Sequence, residues 1–427
     1  MHLKPKRTAA VLAAAVVSLT SFGIAPAAHA DSSSITVWLM GDAQTGWPSA
    51  VDAANKAFAA AHPGVTVNVQ YQTWADHLTK FDATLAANNT PDVIEFGNTE
   101  VTKYAAAGAL ADLTGQKSTF DNSATWLKGL MEAGMYDGKL YAVPYYAGSR
   151  AVIYRTDMYK AVGAKTPPKT YAQFLAIGKK LMAKYGKKDP SFSAIHMPGK
   201  YWYAAMSFVY DAGGSIAKQV NGTWKGNLSS KQSIVGLNRF KQIETTLSRA
   251  DKAGTEAEQW KVMGSSKAAA SYSNGWELGL ISDPKNGGDA ALANKLSAYP
   301  MPSTKAGRYM PAFLGGSNLA VPAKSQNIAL ATDWIRDFIS TKSMRYMVVD
   351  GGVLPNTTSL LYLVPPSNQA FAQAAKSTWF VPTAKNWVNV EKAQVLQTML
   401  SDIATGRKSV VQAAKDADTQ ITQLLGQ

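Results

Sequence analysis

Eight aromatic residues, Trp47, Trp74, Tyr145, Tyr146, Tyr201, Trp202, Tyr203 and Trp276, fall in or beside segments that read as loops. Near them in the chain stand the acids Asp42, Glu95 and Glu277, the amides Asn98 and Asn274, and Arg150. An aromatic face can cover the apolar face of a pyranose ring, while carboxylates, amides and a guanidinium hydrogen-bond its hydroxyls. Two of the three acids facing one cleft could instead form the carboxylate pair of a glycoside hydrolase. Carboxylates in clefts more often hold hydroxyls than cleave bonds, so no residue is assigned a catalytic role. Each aromatic also has an alternative place as core filler. For Trp276 the turn residues Asn274 and Gly275 just before it argue for exposure.

Other chemistries find little purchase. The chain has no cysteine, which removes disulfides, thiol nucleophiles and thiolate metal sites. His62, His77 and His196 stand on different elements, and no H-E-x-x-H spacing occurs. Neither a P-loop, a G-x-S-x-G elbow nor a G-x-G-x-x-G fingerprint is present. No metal and no cofactor are expected.

The elements that must position these residues begin with ITVWL (35–39), a short buried strand. A helix is expected over 48–61, with Pro48 in its first turn and His62-Pro63-Gly64 as the stop. Strand 65–71, helix 76–88, strand 91–96 and helix 99–107 follow. This β-α-β-α-β-α order predicts a parallel sheet, with ligands beyond the carboxyl ends of its strands. Those ends are Met40-Gly41-Asp42, then 71–74 and 95–98, three loops converging on one edge. Further on, helices are expected at 171–185, 202–212 and in the last 40 residues, where Ser409 caps the final one. Residues 268–281 read as strand, turn and helix, and 311–322 as a glycine-broken strand. Ser325 is expected to cap the helix that runs to about residue 340. Residues 137–159, DGKLYAVPYYAGSRAVIYRTDMY, crowd five tyrosines around a strand that Pro144 and Gly148 interrupt. The expected reason is a hinge, with aromatics facing a cleft beside it.

At the amino terminus, Lys4, Lys6 and Arg7 precede an apolar run at 9–24, and Ala28-His29-Ala30 follows. This is the pattern of a secretory signal peptide cleaved after Ala30. The run is too short for a membrane span, and no cysteine is available for a lipid anchor. The formal charge is +14. The lysines are scattered through helical stretches without a long basic run, so they read as a solvated surface and not as a nucleic-acid footprint.

Several segments together resemble the extracellular solute-binding proteins of ABC-type sugar importers, the class containing maltose-binding protein. They are ITVWLMGD, TPDVIEFGN, KYAAAGALADL, the tyrosine-rich segment followed by PPKTYAQF, SNGWELGLI, GGSNLAVPAKSQNIALATDWIRDFI and GRKSVVQAAKDADTQI, in the family's order. The resemblance implies an α/β, two-lobe, periplasmic-binding-protein-like fold with discontinuous lobes, hinge crossings and the ligand in the interlobe cleft. Lobe one would hold 31–145 and 315–379, and lobe two 146–314 and 380–427. Crossings are implied near 145–149, 313–317 and 380–387. Asp42 matches the family's hydroxyl-binding acid, Phe96 and Tyr203 match sugar-contacting positions, and Trp276 matches a stacking tryptophan. Trp387 lies near the third crossing, and Ser317 near the second. The hinge acid of maltose-type sites is Gly148 here. The function implied is a secreted, monomeric receptor that binds a di- or oligosaccharide by lobe closure and delivers it to importer permease subunits. A secreted carbohydrate-active hydrolase, or a binder of peptides, amino acids or cations, are the alternatives.

Overall fold

The first expected strand runs Ser34–Met40 in a computed structural model of the chain, which describes residues 34–305 and 307–426. The expected leader and its cleavage point lie outside the described residues. Strand Ser34–Met40 pairs in parallel with Thr66–Gln72 on one side and Val93–Gly97 on the other. The intervening helix Pro48–Ala61 starts on its proline and buries Ala50, Val51, Ala54 and Phe58, a stripe at three- and four-residue spacing. The sheet continues antiparallel through Gly315–Ala320, Ala142–Gly148 and Leu354–Pro355, giving six strands. Its central strand is thus supplied from more than 160 residues downstream of its first neighbours, a pairing that local pattern cannot announce.

Pro144 does not break the strand that holds it. Ala142–Gly148 is continuous, and the register slips opposite Ser317 and Asn318 so that Tyr145 is the extra residue. Such a bulge accommodates a residue lacking an N–H donor. The interruption comes instead at Ser149, after which Arg150–Arg155 enters a second, antiparallel sheet between Ala270–Asn274 and Leu296–Tyr299. A second passage links Ala312–Phe313, paired with Thr378–Trp379, to Gly315–Ala320 of the first sheet.

Two large apolar cores result. One gathers Phe58, Tyr145, Trp334 and Phe338 under the first sheet, and the other gathers Tyr201, Trp202, Phe208, Phe240 and Trp387 beside the second. Helix Gln369–Ala374 buries Phe371 and packs against Arg150–Arg155 and Leu296–Tyr299, so it covers the second sheet. Two local expectations are corrected. Residues Gly41–Gly46, read as loop, form a short helix, and Ser325 does not cap the helix Ile328–Phe338. The Ser325 hydroxyl donates to Asp92 at 2.6 Å, and Asn327 takes the cap position. Ser409 does cap Val410–Leu425, accepting from the Gln412 N–H.

Candidate functional site

The carboxyl ends of the three parallel strands deliver Asp42, Trp74 and the run Gly97-Asn98-Thr99-Glu100 to one edge of the first sheet. Facing them are residues positioned by the second sheet: Arg150 on its central strand, Asn274 at the end of the neighbouring strand, and Trp276 just past the turn. Tyr203, in the first turn of helix Trp202–Asp211, and Phe313 close the floor. Together they enclose about 280 Å³. Asp42, Tyr146 and Trp276 are shared with an adjoining space of about 650 Å³ that Trp47, Trp260 and Asp350 help to line. The combined opening is of the size that holds small ligands. A separate cavity of about 790 Å³, around Pro167, Leu296 and Gln373, contains no carboxylate and none of the expected residues.

Trp74 and Trp276 stand out among the tryptophans. They are 43% and 38% exposed, whereas Trp47, Trp202, Trp334 and Trp387 are buried. Each lies on a glycine. A methyl at Gly97 would meet Trp74 Cζ3 at 3.5 Å, and one at Gly148 would meet Trp276 Cζ3 at 3.2 Å. A side chain at Gly148 would crowd the Trp276 ring, whereas at Gly97 a methyl would sit in ordinary contact with Trp74 and press first on Glu100 at 3.3 Å. The Trp74 indole N–H donates to Asp42 at 2.7 Å, which fixes ring and carboxylate together. His77, edge-on behind Trp74, bonds the Glu100 carboxylate at 2.9 Å, and the Gly97 N–H donates to the same oxygen at 2.8 Å. Burial alone would lower the His77 pKa, but Glu100 reverses that and the net direction is up.

Asp42, Trp47, Trp74, Asn98, Arg150, Tyr203, Asn274, Trp276 and Ser317 are therefore brought to the cleft. Others stand behind it. Glu95 accepts the Met40 N–H at 2.9 Å and Glu277 the Asn274 N–H at 2.9 Å, each shaping a loop. Burial pushes both carboxyls up to about 7. Trp387 donates to Glu391 at 2.8 Å and so orients a cleft residue from inside the core. Three residues do not reach the cleft. Phe96 packs between Phe81 and Tyr104, because the pleat turns it away from Glu95 and Gly97. Tyr145 faces Phe338 and Trp47 in the core, while its neighbour Tyr146 faces the cleft. Trp202 points into the core beside Trp379 and Trp387, one helical step from Tyr203.

Thr99, Glu100, Phe313 and Glu391 were not expected. The first two directly follow an expected strand end and were legible there. Glu391 was not, since it lies on the short helix Trp387–Lys392 and reaches the site only through tertiary packing. Its carboxylate accepts from the Thr99 hydroxyl at 3.3 Å across the cleft. Among the described residues, no group of three or more His, Cys, Asp or Glu side chains could hold a metal ion.

Residues 53–378 match the family described as bacterial extracellular solute-binding protein. The diacetylchitobiose-binding protein DasA of Streptomyces coelicolor is 29% identical over 405 residues, covering 92% of this chain and 90% of that one. Two solved structures share the fold. The sugar-binding protein MalE from Xanthomonas citri superposes with a TM-score of 0.78 at 20% identity, over 92% of this chain and 98% of that one. A solute-binding protein of an ABC transporter from Thermotoga lettingae, bound to α-D-tagatose, gives 0.77 at 20% identity, over 92% and 100%. The fold is accordingly the two-lobe α/β architecture of those binding proteins.

Proposed function

The chain belongs to the bacterial extracellular solute-binding protein family, and we propose that its solute is a carbohydrate of two or more rings. The observation that carries this reading is the pair of exposed indoles, Trp74 and Trp276, on opposite walls of one cleft rimmed by Asp42, Asn98, Glu100, Asn274 and Glu391. Rings offered face-on with carboxylates and amides around them suit the alternating apolar faces and hydroxyl edges of sugars. The ligand of the relative DasA is a disaccharide derivative, which agrees with that chemistry.

In the proposed mechanism, one lobe is built on the first sheet, with strands drawn from 34–148 and 315–355, and the other on the second sheet, with strands drawn from 150–155 and 270–299. They hinge at Ser149, around Leu314, and between Pro355 and Thr378, and sugar selects the closed arrangement. A micromolar dissociation constant, about −8 kcal/mol, is within reach of two stacked rings and several charge-assisted hydrogen bonds. The receptor is exported after cleavage following Ala30, acts as a monomer and hands intact sugar to the permease of an ABC importer. A hydrolase is the weaker reading, because Glu95 and Glu277 stand behind the cleft with an oxygen each engaged by backbone N–H. Fluorescence titration of residues 31–427 with sugars, peptides, amino acids and polyamines tests the ligand class. Saturation is expected only with oligosaccharides, and saturation by peptide or polyamine alone would overturn the proposal.

A further inference from the structure

Arg150 is 8% exposed, yet among the described residues it forms no ion pair. Its Nε donates to the Tyr201 hydroxyl at 3.0 Å, and its guanidinium lies over the Tyr203 ring at 4.2 Å, with Phe313 at 5.8 Å. Among the described residues the two terminal nitrogens have no hydrogen-bond acceptor, and Arg150 lines the cleft. Glu256 and Glu277 act on its charge only at longer range. Against the effect of burial, the surrounding rings and these more distant carboxylates hold the charge, the net pKa direction being up, while the terminal nitrogens keep unused donors facing the cleft. Structural arginines are paired, as Arg155 is with Asp157 at 2.7 Å on the same strand.

We propose, building on the carbohydrate reading above, that the Arg150 fork receives a planar oxygen acceptor carried by the sugar, a carboxylate or an N-acyl carbonyl, so that substituted sugars are selected over plain ones. The guanidinium presents paired N–H groups that match two lone pairs of such an oxygen or oxygen pair. Placement supports it. Trp276 lies over Gly148, and Arg150 is two residues along the chain, about 7 Å in an extended segment. Arg150 and Trp276 line the same cavity, so a ring held against Trp276 shares it with the Arg150 guanidinium. Asn274, directly opposite Arg150 in the register, adds an amide to the same spot.

The test is calorimetric titration of residues 31–427 and of the variants Arg150→Met and Arg150→Lys with three disaccharides: cellobiose, N,N′-diacetylchitobiose and digalacturonate. The wild type is expected to prefer one of the substituted sugars at least about tenfold over cellobiose, and which one identifies the source of the acceptor. Arg150→Met is expected to weaken that sugar about ten- to hundredfold and bring the preference toward unity. Arg150→Lys, charged but without the fork, is expected to behave more like Met than like wild type. Thermal unfolding of Arg150→Met is expected to stay close to that of wild type, so that the loss of affinity reads a lost ligand contact and not a lost fold. Cellobiose binding as tightly as both substituted sugars overturns the inference and leaves the carbohydrate reading standing. So does a preference that survives Arg150→Met. Binding of none of the three, nor of any longer glycan, overturns both.

Discussion

Replacing Trp276 by alanine removes one of the two proposed sugar platforms, and the structure sets the size of the effect. The side chain is 38% exposed, so of the roughly 150–250 Å² a large aromatic can bury, about 57–95 Å² remains for a ligand to cover. At about 25 cal/mol per Å² that is about 1.4–2.4 kcal/mol, a ten- to sixtyfold loss of affinity. The ring's other face rests on the backbone at Gly148 and not within a packed core, so the melting temperature should fall little. Trp202→Ala is the contrast. That ring is buried among Phe313, Trp379 and Trp387, and its loss should cost about 3–5 kcal/mol of stability. Calorimetric titration with the best-bound sugar, alongside thermal unfolding of both variants, reads the two effects separately. Affinity of Trp276→Ala within twofold of wild type would refute the reasoning, as would unfolding of Trp276→Ala at the temperature of Trp202→Ala.

Gly148→Val places a branched side chain where even a methyl comes within 3.2 Å of Trp276. It is expected to displace the indole, shift tryptophan emission and weaken sugar binding about tenfold or more, which titration of the folded variant checks. The buried carboxyls of Glu95 and Glu277 give a pH dependence of stability. Burial raises both to about 7 in the folded chain from an ordinary 4.5. Between those values the folded state holds protons that the unfolded state has released, so stability falls as pH rises through the window and is greater on its acid side. From pH 8 to pH 6 each group should add about 1.4 kcal/mol. His196, depressed by burial to about 4, opposes this only below its unfolded value near 6.5. Melting curves of wild type and Glu95→Gln over pH 6–8 check the sign. A wild-type melting temperature that falls toward pH 6, or a slope that Glu95→Gln leaves unchanged, would contradict it.

Where an element announces itself locally, the sequence was sufficient. The helix Pro48–Ala61 has a proline at its start, a single apolar stripe and a stop, and it occurs where those signals put it. Strand ends that emit acids, amides and aromatics led to Asp42, Trp74 and Asn98, and the Asn274-Gly275 turn led to Trp276. Orientation was harder. A one-residue step along a pleated strand reverses a side chain, which separates Phe96 in the core from Glu95 and Gly97 on the other face. At Tyr145 and Tyr146 a bulge adds a residue, so simple alternation was not a guide to which tyrosine meets the cleft. Helical steps of about 100° separate Trp202 from Tyr203 in the same way. Glu391 was out of reach for a different reason. Its partner Thr99 lies 292 residues away, and nothing in the helix around it marks a ligand.

The central claim is that this cleft holds an oligosaccharide reversibly and leaves it whole. Equilibrium dialysis of residues 31–427 against the best sugar, with mass spectrometry of the protein-bound fraction after denaturation, measures both at once. The account predicts saturation at one sugar per chain, the sugar recovered at its starting mass, and at least tenfold weaker retention by Trp276→Ala. Shortened sugar in the bound fraction, or retention that is unsaturable or indifferent to Trp276, would contradict it.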